Sequence, residues 1–220
     1  MAIVISGANR GIGAGLAAHY AAAGAQVVGT SRGGAAGAPG TAGATLDVTD
    51  PASIAAFAEG LGQTKIDTLI CNAGVFLDRH EDTATGYAPE LWTRTFATNV
   101  TGVFLTVQAL LPNLKAAPAP KIAIIASQMG SSLKAGGNGL IYRASKAAAI
   151  NLGRNLAVDL KPSGIAVGIY HPGWVRTEMG GDAAAISIDE SVAGLGARIA
   201  DLGLETTGIF LNWDGSPQDY

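Results

Sequence analysis

Short apolar runs, separated by longer stretches with helical periodicity, recur along the whole chain. Runs of a length suited to fully buried parallel strands fall at Ala2–Ser6, Gln26–Thr30, Ala44–Leu46, Thr68–Cys71, Lys121–Ala126, Ala166–Tyr170 and Gly208–Asn212. Between them Gly13–Ala23, Pro51–Leu61, Glu90–Leu114, Ile141–Leu160 and Asp189–Leu202 read as helices, several opened by Asp, Ser or Pro of the kind that starts helices. Strand, helix, strand alternation predicts an α/β fold: a doubly wound, seven-stranded parallel sheet with helices on both faces. Pro112 predicts a break or kink near the carboxyl end of the Glu90–Leu114 helix. The Gly- and Ala-rich piece Gly33–Gly43 reads as a loop, and no internal repeat of solenoid length is visible.

A chain of 220 residues, 48% hydrophobic, is long enough for one sizeable core and short for two, so residues 1–220 read as a single domain. Seventeen acidic against 14 basic residues, with no basic run, leave no electrostatic footprint for nucleic acid or an anionic membrane. The expected partner is a small molecule. The lone Cys71 cannot form an intramolecular disulfide, the short apolar opening is unlike a signal peptide, and no apolar stretch reaches the length of a membrane span. A cytoplasmic protein is the expectation. His19, His80 and His171 fall at no metal-ligand spacing, so no metal is expected.

Candidate chemistry begins directly after the first strand. Ser6-Gly7-Ala8-Asn9-Arg10-Gly11-Ile12-Gly13 runs into an alanine-rich helix, placing glycines where backbone must approach a pyrophosphate at a helix N-terminus, as in a Rossmann-type unit. An NAD-binding unit carries an acid about 20 residues beyond this loop to accept from the adenosine ribose. Residues 14 to 46 contain no acid. Thr30-Ser31-Arg32 stands at the end of the second strand instead, and Arg10 lies inside the loop. Two guanidiniums and a hydroxyl suit a 2'-phosphate, which favours NADP(H) over NAD(H).

Tyr142 and Lys146 stand four positions apart, on one face of a helix, so their polar ends can converge on one ligand. A tyrosine of ordinary pKa is a poor acid–base catalyst near neutrality, and a neighbouring ammonium together with an oxidised nicotinamide ring is expected to lower it. Ser127 ends the apolar run Lys121–Ala126, at the carboxyl end of the sheet where open α/β proteins place ligands. Its hydroxyl is expected to orient the substrate oxygen.

With these residues the chain resembles the short-chain dehydrogenase/reductase family over essentially its full length. Gly7 to Gly13 resembles the family's glycine motif, Asp47-Val48 its adenine contact, Asn72-Ala73-Gly74 its fourth-strand motif, and Asn99 its proton-relay asparagine. Ser127, Tyr142 and Lys146 complete the matching tetrad. Pro172-Gly173-Trp174-Val175-Arg176-Thr177 resembles the segment in which Val175 and Thr177 contact the carboxamide of the nicotinamide. The wording Tyr-Arg-Ala-Ser-Lys, the His171-Pro-Gly-Trp run and the ending Phe210–Gly215 resemble the compact C-factor and sniffer-like carbonyl reductase branch, some of whose members are associated with signalling. The resemblance implies hydride delivery to a carbonyl carbon, with Tyr142 protonating the alkoxide, Ser127 holding it, and Lys146 with a water near Asn99 restoring the proton.

Alcohol oxidation by the same tetrad, and an NADP(H)-binding signalling protein with little turnover, stay open beside the reductase reading. Met129 and Trp174 read equally as pocket lining or ordinary packing. The segment from Glu178 to Asp189 takes the place of a substrate-covering loop, and Gly180 and Gly181 give it hinge-like freedom, so mobility without ligand is expected. Apolar residues around much of the two long helices suggest a homo-oligomer, dimer or tetramer.

Overall fold

The computed structural model describes residues 1–35 and 37–220; of the Gly33–Gly43 segment, Ala36 lies outside the described residues. Seven strands form one sheet: β1 (Ala2–Ser6), β2 (Gln26–Ser31), β3 (Ala42–Thr45), β4 (Thr68–Cys71), β5 (Lys121–Ile125), β6 (Ala166–His171) and β7 (Phe210–Asn212). Their order is β3-β2-β1-β4-β5-β6-β7 and every pairing is parallel. The doubly wound reading holds, with strand ends shifted by one or two residues.

Alternate strand residues feed two cores, one on each face of the sheet. Ile3 and Ile5 of β1, Ile70, Ala123 and Tyr170 pack under α1 (Gly11–Ala22) and the C-terminal helix Ile188–Asp201. Val4, Leu69, Ile122, Ile124 and Val167 pack on the other side, under α2 (Pro51–Leu61) and the long helices that follow β4 and β5. The period of two along each strand is what lets a run of consecutive apolar residues be buried on both faces.

The Glu90–Leu114 stretch is not one regular helix. It divides into α3 (Pro89–Phe96), a π-helical turn at Ala97–Thr101, and α4 (Gly102–Lys115). The expected break at Pro112 does not occur: α4 runs through it to Lys115. Pro112 stands in the last turn, where loss of its single N–H bond leaves little helix to disrupt. The irregularity sits instead at the buried Asn99. Among the described residues the remaining α-helices are α5 (Leu140–Leu160) and α6 (Ile188–Asp201), the latter opened by a reciprocal Ser187–Glu190 capping box. Among the described residues no helix is long and apolar enough to cross a membrane.

Candidate active site

The chain leaves β1 in one direction across the sheet and, after β3, returns to β4 on the other side of β1. That reversal opens a crevice at the carboxyl ends of β1 and β4. Gly7, at φ +66, turns the chain out of β1, and a Cβ there would meet Ala73 Cα at 2.9 Å. Gly13 lies closer still to its surroundings: an added Cβ would stand 2.3 Å from the Gly7 carbonyl oxygen. Asn72 ties the two strand ends together, its amide donating to the carbonyls of Ser6 at 3.0 Å and Gly7 at 2.9 Å. Arg10 at the N-cap of α1 makes no side-chain cap bond, and no acid lies in the first turn around Gly11, Ile12 and Gly13. A helix N-terminus left so is suited to an anionic pyrophosphate, so these residues fit the dinucleotide that the glycine loop implies.

The crevice continues across the molecule. A Cβ on Gly11 would lie 3.5 Å from the Thr177 methyl group, which places the Pro172–Thr177 segment over the glycine loop. Pro172 and Val175 are buried, while Gly173 turns at φ +87. The following stretch, for which mobility is expected, is a hydrogen-bonded turn. Gly180 N–H donates to Thr177 Oγ1 at 3.0 Å, Gly181 N–H to the Thr177 carbonyl at 2.8 Å, and Trp174 Nε1 to the Gly180 carbonyl at 2.9 Å. Arg10 pairs with Glu178 of this turn, and Arg79 donates to the Met179 carbonyl.

At the far end of the crevice stand the residues read as cofactor-selecting. Ser31 is buried and donates to the Ala35 carbonyl at 3.2 Å, while Asn9 and Arg32 are exposed. Asp47 accepts from the Thr49 hydroxyl at 2.7 Å and the Thr49 N–H at 2.9 Å; these bonds, with Arg32 nearby, hold its carboxyl below the ordinary range. Val48 beside it is buried.

Ser127, Tyr142, Lys146 and Asn99 converge at the carboxyl ends of β4 and β5. Ser127 leaves β5 in an extended conformation, and its Oγ accepts from Met129 N–H at 3.1 Å, so its own proton is left to donate. Lys146 donates to the Ile125 carbonyl at 2.9 Å, which leaves two of its ammonium protons for another ligand. Its Nζ stands 5.7 Å from the centre of the Tyr142 ring. Burial pulls Lys146 down to about 8. Burial also pushes Tyr142 up to about 12, against the opposing pull of the Ser127 hydroxyl and the Arg79 guanidinium. The lowering expected from a neighbouring ammonium together with an oxidised nicotinamide ring is not found in the chain alone, where desolvation of the tyrosinate outweighs the Ser127 hydroxyl and the Arg79 guanidinium. Asn99 spends its side chain on structure. Its Oδ1 accepts from Val75 N–H and its Nδ2 donates to the Val75 carbonyl, both at 2.9 Å, and Nδ2 also reaches Ser145 Oγ at 3.0 Å. A Cβ on Gly74 would lie 3.4 Å from Asn99 Oδ1 and 3.6 Å from Lys146 Nζ, so the fourth-strand motif borders the same spot.

Three residues at the site escaped the sequence reading. Phe76 stacks on Tyr142, with ring centres 4.3 Å apart and planes 17° apart, and Arg79 lies 5.0 Å from the Phe76 ring centre. The fully buried Asp78 accepts from the N–H groups of Ile141 and Tyr142. The only sequence signal was an acid-base pair, Asp78-Arg79, directly after the three apolar residues that follow Asn72-Ala73-Gly74.

A family profile described as short chain dehydrogenase matches residues 1–186. The chain is 35% identical over 162 residues to the C-signal of Myxococcus xanthus, covering 73% of this chain and 96% of that one. Among solved structures, the NADPH-bound carbonyl reductase from chicken fatty liver superposes with a TM-score of 0.90 at 32% identity, over 100% of this chain and 98% of the other. The carbonyl reductase Sniffer of D. melanogaster gives 0.88 at 25%, over 100% and 99%. With its glycine loop, Ser127, Tyr142 and Lys146 in one crevice, the chain belongs to the short-chain dehydrogenase/reductase family of oxidoreductases, on its carbonyl reductase branch.

Proposed function

We propose that this protein is an NADP(H)-dependent carbonyl reductase in which Tyr142 is the general acid. The observation that carries the reading is the convergence of Ser127, Tyr142 and Lys146, with burial holding the tyrosine in its protonated form. A hydroxyl pushed up to about 12 keeps its proton at neutral pH until a stronger base, the alkoxide of a reduced carbonyl, takes it. Ser127, its Oγ turned by the Met129 N–H, donates to the same oxygen and holds the substrate in line. Lys146 holds the ribose of the nicotinamide nucleotide and, at about 8, stays charged at neutral pH beside the tyrosine. NADPH, when bound, supplies the hydride.

The choice of NADP(H) over NAD(H) rests on Arg10, Ser31 and Arg32 and on the missing acid after β2. Arg10 and Glu178 are both largely exposed, and a surface pair of that kind contributes little in water, so a 2'-phosphate can take the guanidinium over. Likeness to an NADPH-bound carbonyl reductase supports the same choice. Likeness to a protein named C-signal favours one second reading, an NADP(H)-binding signalling protein with little turnover. Exposed Trp92, Phe104 and Val158 on α3, α4 and α5 further support a homo-oligomer.

The test is NADPH and NADH oxidation by wild type and Tyr142→Phe across ketones and aldehydes, with cofactor binding measured alongside. We expect turnover with NADPH in preference to NADH, and a loss of about 10²–10⁴-fold in the variant with NADPH binding retained. Tight NADPH binding by a wild type that reduces no carbonyl would move the assignment to the signalling reading. A preference for NADH would overturn the role given to Arg10, Ser31 and Arg32.

A further inference from the structure

Tyr142 rides on the first turn of α5, the part of any helix whose N–H groups have no partner within the helix. Most helices cap this turn with a Ser, Thr, Asp or Asn side chain at the N-cap. α5 cannot. Its N-cap residue is Gly139 at φ +59, and a Cβ added there would stand 2.9 Å from the Phe76 ring. Phe76 is the ring that stacks on Tyr142, so the contact that supports the tyrosine's face excludes a local cap.

We propose that Asp78 is the positioning residue for Tyr142, capping α5 from outside the helix and fixing the tyrosine against the β4–α3 connection. Its carboxylate, 0% exposed, accepts from Ile141 N–H at 2.7 Å and from Tyr142 N–H at 3.2 Å and 3.3 Å through its two oxygens. The partners lie 63 and 64 residues further along the chain. A buried carboxylate is costly to desolvate and is tolerated only where donors meet it, and here the donors are the helix terminus that carries Tyr142. The tyrosine is thus held at both ends by one segment. Asp78 takes its backbone, Phe76 takes its ring, and Asn99 anchors that segment through both polar groups of Val75. This gives the buried Asn99 side chain a role as the root of the clamp.

The inference rests on Tyr142 being the proton donor, and its test separates the two. Wild type, Asp78→Ala, Asp78→Asn and Tyr142→Phe are compared with NADPH and with NADPH deuterated at the transferred position, beside NADPH affinity and thermal melts. A misplaced donor slows chemistry and not binding, since displacement of about 1 Å can cost on the order of 10²-fold. We expect Asp78→Ala to lower kcat by about 10- to 100-fold, to raise the primary isotope effect on kcat, and to leave NADPH affinity within about twofold. Asp78→Asn keeps an acceptor oxygen and recovers most of the lost rate. An Asp78→Ala protein with wild-type kcat and isotope effect overturns the inference, as does a rate loss that only tracks the folded fraction. Should Asp78→Ala not fold, Asp78→Ser, whose hydroxyl is too short to reach both donors, is read by the same two outcomes. Wild-type turnover by Tyr142→Phe sinks the general-acid reading and this inference together; an inactive Tyr142→Phe beside an unperturbed Asp78→Ala sinks the inference alone.

Discussion

Single residues at this site are governed by burial more than by charge. Tyr142 and Lys146 are 7% and 6% exposed, and each is pushed toward its neutral form, the tyrosine up and the lysine down. Their spacing was legible because four residues on a helix is a local relation. Their ionisation was not, since it depends on what else packs around them. Asp78 was illegible for a related reason: its partners are backbone groups far along the chain, and an acid in a loop carries no mark of the helix it will cap. His171, at the end of β6, carries the same physics into stability. It is buried, its Nδ1 has no partner among the described residues, and burial, with Lys134 and Lys146 adding to it against Asp214, draws it down to about 4. Between about 4 and 6.5 the unfolded chain binds the proton and the folded chain does not, so this group makes stability rise with pH across that window. The contribution is at most roughly 3 kcal/mol, from 1.36 kcal/mol per unit. Thermal melts from pH 4 to 7 are expected to show Tm climbing by several degrees in wild type, and a flatter profile in His171→Asn. Parallel profiles for the two proteins would mean that other groups dominate acid unfolding.

Elements were legible where periodicity alone decides them and illegible where the site bends them. α1, α2, α5 and α6 appear where apolar spacing and Pro, Asp or Ser starts placed them, to within two residues. The Glu90–Leu114 stretch departs from one regular helix because a π-turn inserts an extra residue with no Gly or Pro inside it, only Gly102 at its end. Its cause is visible only in three dimensions: the turn seats Asn99 where its amide meets Val75 and Ser145. A second element with an exacting fit is the 3₁₀ turn Gln128–Gly130 that follows Ser127. Gly130 is buried against α5, and a Cβ there would stand 2.6 Å from the Lys146 carbonyl carbon and 2.7 Å from Ala147 N. These two atoms form one peptide bond of α5, and helix backbone cannot yield as a side-chain tip would. Gly130→Ala is therefore expected to destabilise by about 1–3 kcal/mol through overpacking. At about 2–4 °C per kcal/mol for a chain of this size, a melt resolves that easily. Because the displaced backbone carries Lys146, NADPH affinity should weaken in the same variant, measured at a temperature where it remains folded. An unchanged Tm with unchanged affinity would show that α5 shifts without cost.

At the scale of the whole molecule, the sheet was legible because strands buried on both faces read as unbroken apolar runs. The side on which each helix lies follows from the right-handed crossover rule with one exception. The connections from β3 to β4, β4 to β5 and β5 to β6 cross on the face of α2, α4 and α5, whereas β6 reaches β7 through α6 on the face of α1. Moving in the same direction across the sheet on the opposite face makes that last crossover left-handed. Its consequence is functional, because the chain leaving β6 must pass over the carboxyl ends of the strands, which brings Pro172–Thr177 across the glycine loop and closes the crevice. With α6 packed on α1, the outer surfaces of the two helical layers differ. The layer of α3, α4 and α5 exposes Trp92 and Phe104, each 39% exposed, and Val158 at 77%. Large apolar groups on neighbouring helices of one layer are the pattern of a surface that meets another subunit. We therefore expect the purified protein to sediment as a dimer or tetramer, and a Phe104→Glu, Val158→Glu double variant to sediment as a monomer, because each buried carboxylate would have to be desolvated without a partner. Identical sedimentation of the two proteins, whether both monomeric or both assembled, would place the subunit contact elsewhere or remove it, and the exposed apolar groups of this layer would then be read as single surface residues of the kind every folded chain carries.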